Sequence, residues 1–116
     1  MVTQMEINDV REYVTHEGTV RISGQTSPRK AASCALQLLK SEVWPLEFLF
    51  IGANAGQQAT KAMAFLSFVH DRQYSGSEIA FRPSACWVIS ADRSNNNEPV
   101  KRLATVWTAV LVTKKP

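Results

Sequence analysis

A chain of 116 residues, 45% of them apolar, is the size of one domain with its own core. No apolar run approaches the roughly 18–20 residues that a membrane-spanning helix needs, and the opening MVTQMEINDVREY lacks the basic-then-apolar order of a signal peptide, so a cytoplasmic protein with no membrane partner is expected. The net charge of +3 is unevenly held, at −3 over residues 1–20 and +6 over the rest, which predicts an acidic, weakly structured N-terminal arm over residues 1–19 and a mildly basic domain over residues 20–116.

In chain order, Val20–Gly24 alternates apolar and polar residues and ends at Gly, as a strand does. Ser27-Pro28 opens a helix, with Ser as N-cap and Pro at its first position, and Ala31, Ala35, Leu38 and Leu39 make its apolar face as far as Lys40. Phe48-Leu49-Phe50-Ile51 is short, apolar and uncharged, which suits a strand buried on both faces. Gly52-Ala53-Asn54 turns the chain into a second helix. Asn54 is its expected N-cap, and Gln57 stands where a capping box would answer. Ala55, Ala59, Ala62, Leu66 and Val69 form one helical stripe as far as His70, while Phe65 and Phe68 fall outside it. Residues 71–77 read as a polar loop. Ile79–Ser90 reads as a strand bent at Pro83, DRSNNNEP as a polar turn over residues 92–99, and Leu103–Val112 as the last strand. The order β-α-β-α-β-β predicts a two-layer α/β sandwich: a mixed four-stranded sheet with two helices on one face.

Cys34 and Cys86 stand apart, with no CxxC pair and no His at metal spacing. They read as two buried, reduced thiols, with no metal and no cofactor. Ser27, Ser33, Cys34, His16 and His70 make no triad or nucleophile elbow, and Asp71, Glu78 and Asp92 fall in polar segments, so no enzyme is expected. The turn Gly52-Ala53-Asn54-Ala55-Gly56 would suit a phosphate at a helix N-terminus. It lacks the Lys-Ser/Thr of a P-loop and the third Gly of a dinucleotide fingerprint, which favours a plain strand-to-helix connection.

The segments ISGQTSPRKAASCALQLL, FIGANAGQQATKAMAFL, IAFRPSACWVI and LATVWTAVLV, in that order, resemble the stage V sporulation protein S family. The Ser-Pro helix start, the Ile-Gly-Ala turn and the run Gln58-Ala59-Thr60-Lys61-Ala62 carry the likeness, which spans about Val20 to Val112. The segment before Val20 has no counterpart, and the 92–99 tip is longer. The resemblance implies the sandwich of the Alba-like chromatin proteins, and with it a nucleic-acid-binding homodimer in a sporulation, developmental or phage-related role.

The cations give that implication candidate contacts. Arg29 and Lys30 open the first helix, where side-chain cations oppose the helix dipole and a bound anion would relieve them. Lys61 lies on the second helix beside Phe65 and Phe68. Arg82, Arg93, Lys101 and Arg102 belong to the last two strands and their connection. No aromatic stands among these cations in sequence, which speaks for phosphate contacts rather than base stacking. Phe65 and Phe68 are the expected dimer interface. The competing readings are a protein-interaction or assembly module without nucleic acid, and a small-ligand site at the Gly52–Gly56 turn.

Overall fold

Four strands and two helices alternate as expected: β1 (Thr19–Ile22), α1 (Pro28–Lys40), β2 (Glu47–Phe50), α2 (Ala53–Gln73), β3 (Ser77–Asp92) and β4 (Glu98–Thr113). The computed structural model describes residues 10–92 and 98–114 of the chain. The strands make one mixed sheet in the order β1-β2-β4-β3. β1 and β2 run parallel and so need a crossover, which α1 supplies. β4 lies antiparallel to both of its neighbours. This is the expected two-layer sandwich.

β2 shows why Phe48, Leu49 and Phe50 carry no charge. Phe48 is fully buried in the core beneath the helices, with Val20, Ile22, Ala59, Leu66 and Ala109. Leu49 points the other way, into a smaller cluster with Cys86, Ala104 and Val106. Successive residues of a strand face opposite sides, so Phe48 and Leu49, each covered by an apolar cluster on its own side, are both apolar.

α1 begins as expected, with the Lys30 N–H donating to Ser27 Oγ at 3.4 Å and Pro28 in the first turn. α2 does not. Its N-cap is Gly52 at φ 88°, with no side-chain cap, and Asn54 already lies inside the helix. The expected Asn54 cap and its Gln57 partner are therefore absent. The chain leaves β2 through a left-handed residue that Gly alone adopts without strain, and the turn is complete two residues before Asn54.

α2 also runs on to Gln73, past the expected end at His70. Asp71 is thus not a solvated loop carboxylate. It sits in the last turn, where its Oδ1 meets His70 Nδ1 at 3.0 Å and accepts from the Ile79 N–H at 3.2 Å, tying α2 to β3. The His70 hydrogen bond foremost holds this carboxyl below its ordinary range, with burial opposing.

β3 is continuous through Pro83, which pairs opposite Trp107. β3 is the outer strand of the sheet, where a residue without an N–H is tolerated, so no bend is needed. β2 pairs with β4 only over Thr105–Thr108. From Cys86 and Ala104 outward β2 therefore no longer pairs with the β3–β4 hairpin.

Residues 10–18 pass over the helix-free side. Arg11 and Tyr13 bracket Trp87 in a short parallel bridge to β3, the Tyr13 N–H donating to the Trp87 carbonyl at 2.7 Å and the Trp87 N–H to the Arg11 carbonyl at 2.8 Å. Gly18 then brings the chain against Pro45: a Cβ at that position would lie 1.8 Å from the Pro45 carbonyl oxygen. Among the described residues no helix is long and apolar enough to cross a membrane.

Candidate functional site

Two groupings of polar side chains stand out, one on each side of the sheet. On the helix-free side the register sets Thr19, Glu47, Thr108 and Arg82 in one row across all four strands. Glu47 is the centre of that row. Its Oε1 lies 2.6 Å from His16 Nε2 and accepts from the Tyr13 hydroxyl at 3.0 Å, and its Oε2 accepts from Thr108 Oγ1 at 2.8 Å. His16 Nδ1 accepts from the Gly18 N–H, so Nε2 carries the proton and donates to Glu47. With its own proton on Glu47, the Tyr13 oxygen takes the Thr19 hydroxyl at 2.7 Å. Burial pushes the Tyr13 phenol up to about 12, and Glu47 adds to the rise. Burial likewise works to raise Glu47, but the hydrogen bonds from His16, Thr108 and Tyr13 outweigh it and hold the carboxyl below its ordinary range.

A cavity of about 580 Å³ lies beside this network, with Tyr13, Glu47, Ser84, Cys86 and Val106 in its wall. The Cys86 thiol is buried and free, and burial, followed by the Glu47 charge, raises it. The hydrogen bonds from Tyr13 and His16 to Glu47 anchor the arm to the sheet.

The second grouping is on the helices. α1 and α2 carry Arg29, Lys30, Lys40, Lys61 and Arg72 and a single carboxylate, Asp71, which is turned onto His70 and the Ile79 N–H. Among the described residues none of these cations is in an ion pair. Lys61, Phe65, Phe68 and Arg72 recur every three or four residues, so they fall on one outer stripe of α2, turned away from the buried Ala59, Ala62 and Leu66. The Arg29 guanidinium stands over the Phe65 ring at 5.8 Å, and the Arg72 guanidinium over the Phe68 ring at 5.1 Å. Phe68 is 61% exposed and Phe65 41%. A trough of about 300 Å³ runs beside Phe65 between the helices, lined by Arg29, Ala32, Ser33, Leu36 and Val69.

The chain matches no protein-family model and no curated protein.

The expected contacts separate in this framework. Arg29 and Lys30 belong to α1 and Lys61 to α2, with Arg29 reaching Phe65, one turn from Lys61. Arg82 and Arg102 stand on the opposite side, in the rows of Thr108 and of Val88. Lys101, one residue from Arg102, faces the other way, with its Nζ over the Trp87 ring at 5.1 Å. Arg93 lies outside the described residues. The expectation of no aromatics among the cations is overturned, since Phe65, Phe68 and Trp87 each lie under one. Cys34 is exposed rather than buried. At the Gly turn, the Gly56 N–H is spent on the Gly52 carbonyl at 3.0 Å, and a Cβ at Gly56 would press on Phe50 at 3.2 Å. Gly52, Asn54 and Gly56 are thus accounted for as a strand-to-helix connection. Among the described residues no group of three or more His, Cys, Asp or Glu gathers as metal ligands would.

Sequence reasoning missed Arg72 and the whole Tyr13–His16–Glu47 network. Arg72 was within reach, since Lys61, Phe65, Phe68 and Arg72 keep helical spacing. It was lost because the helix was expected to stop at His70. The network carried no signal, because its members meet only through strand pairing and the path of the arm.

Proposed function

We propose that the chain is a cytoplasmic nucleic-acid-binding domain that engages phosphates through its helix layer. The supporting observation is the segregation of charge there: five cations, Arg29, Lys30, Lys40, Lys61 and Arg72, without an ion pair among the described residues, beside one carboxylate that is already occupied. Such a face attracts a polyanion and releases its counterions on contact. The resemblance to the stage V sporulation protein S family points the same way and suggests a regulatory role of the sporulation or developmental kind. Arg82, Lys101 and Arg102 are secondary contacts, spread over two other surfaces.

Binding to DNA and RNA oligonucleotides across a salt series tests this. Lys61→Glu with Arg72→Glu should weaken binding more than Arg82→Glu with Arg102→Glu, although the change of charge is the same. Equal losses would reject a localised face. No binding of the parent protein at low salt would reject the function and favour the protein-interaction module.

Homodimerisation through Phe65 and Phe68 is a second reading, supported by the exposure of both rings. A two-fold pair would double the phosphate contacts. Against it, the pairing would bring Arg29, Lys61 and Arg72 of two copies together. Light scattering at micromolar concentrations decides between a free face and a covered one.

A further inference from the structure

Phe65 and Phe68 are the unexplained part of the cationic face. Phosphate binding needs neither ring, and both stand on the outer side of a helix whose inner side already fills the core. Residues three apart on a helix surface are neighbours, with about 5–6 Å between their Cβ atoms. Each ring has a guanidinium at one side, Arg29 at Phe65 and Arg72 at Phe68, and the guanidinium is itself a flat group on which a base can stack. Lys61 precedes the first ring by one turn, and Lys30 adjoins Arg29. The stripe on α2 therefore reads cation, ring, ring, cation, with Arg29 of α1 at the side of the first ring.

We propose that this line is a platform for single-stranded nucleic acid, on which neighbouring bases stack over Phe65 and Phe68 while Lys30, Lys61, Arg29 and Arg72 meet the backbone. The proposal rests on the nucleic-acid reading above and narrows it to one substrate class. A duplex hides the faces of its bases in its own stack, so against a convex helix surface it would offer phosphates and leave both rings without a partner. A single strand offers the base faces as well. The trough beside Phe65, with Ser33 and Arg29 in its lining, gives room for a base or sugar turned off the line. The cations on the stripe also favour this occupant over a second copy of the chain, which would meet them with the same charges.

The test compares labelled oligo-uridylate and oligo-thymidylate with a mixed-sequence duplex of the same length, by fluorescence anisotropy at low salt. The variants are Phe65→Leu with Phe68→Leu, which keeps apolar bulk, and Phe68→Tyr, which keeps a ring. The Leu pair should lose about tenfold or more in single-strand affinity, with duplex affinity and the salt slope little changed, and Phe68→Tyr should bind as the parent does. Unchanged single-strand binding by the Leu pair, beside weakened binding by Lys61→Glu with Arg72→Glu, would overturn the platform and leave the nucleic-acid reading standing. No binding of the parent to any of the oligonucleotides would overturn both. Competition by poly-glutamate as effective as by oligo-uridylate would also overturn it, showing a face that reads charge alone. So would a parent dimer that the Leu pair converts to monomer, showing rings that belong to a protein interface. Thermal melts of the variants, unchanged from the parent, establish that a loss is one of binding.

Discussion

Glu47 shows how one residue couples the arm to the sheet. Its folded pKa lies below its ordinary value of 4.5, so it stabilises the fold above that value, and the stabilisation is lost as pH falls through the folded pKa. Asp71 acts in the same direction from an ordinary value of 3.8. Tyr13 has the opposite sign: raised from 10.0 to about 12, it contributes fully below 10 and loses its contribution between 10 and about 12. Thermal melts across pH should therefore fall off at both ends, and Glu47→Gln should flatten the acid limb. An acid limb identical in Glu47→Gln and parent would mean that the carboxylate does not hold the arm. Backbone geometry gives the next expectation. Gly18→Ala sets a methyl group against the Pro45 carbonyl and should cost about 3 kcal/mol, the upper end of overpacking, measured by denaturant unfolding. The same measurement separates the two helix starts. Ser27→Ala should cost about 1 kcal/mol, whereas Asn54→Ala should cost no capping energy, since Asn54 caps nothing.

α2 is the element that serves both sides. Its inner stripe closes the core and its outer stripe carries the proposed site, so two substitutions one half-turn apart should part company. Leu66→Ala, at a position 1% exposed, should cost about 2–5 kcal/mol. Phe68→Ala should leave stability within about 0.5 kcal/mol, and any effect it has should appear in binding. The inner stripe was legible in the sequence because burial imposes a period, and Ala55, Ala59, Ala62 and Leu66 keep it. The presence of all four strands and of a turn into each helix was legible too, from alternation in the outer strands, from the unbroken apolar run in β2, and from the Ser-Pro and Gly that punctuate them. The start and end of α2 were not. The position of the cap depended on whether Gly52 took a left-handed conformation, and the end depended on Asp71 finding the Ile79 N–H in β3. Both are tertiary facts with no local pattern. The cation–ring pairs were half legible: Lys61, Phe65, Phe68 and Arg72 share a helix, but Arg29 reaches Phe65 only because α1 packs beside α2.

Across the whole molecule the helices are nearly free of acids, while the carboxylates fall in the arm, the loops and the strands. The molecule therefore has a positive front, and a polyanion approaching it is turned toward the helix layer before contact. The salt dependence of oligonucleotide binding should be steep and linear on a log–log plot, with about 0.7 of slope for each single-strand phosphate met. Lys61→Glu with Arg72→Glu should lower that slope, and Arg82→Glu with Arg102→Glu should lower it less. The sheet order β1-β2-β4-β3 has a consequence of its own. β4 is the last of these elements to be synthesised, yet it lies between β2 and β3. Until Thr105–Thr108 leave the ribosome, β2 has only β1 beside it, and Phe48 and Leu49 stand on an open apolar edge that a strand of any other chain could join. A slow codon or a destabilising change late in β4 would lengthen that exposure, and the yield of folded protein would fall even where the stability of the finished molecule did not.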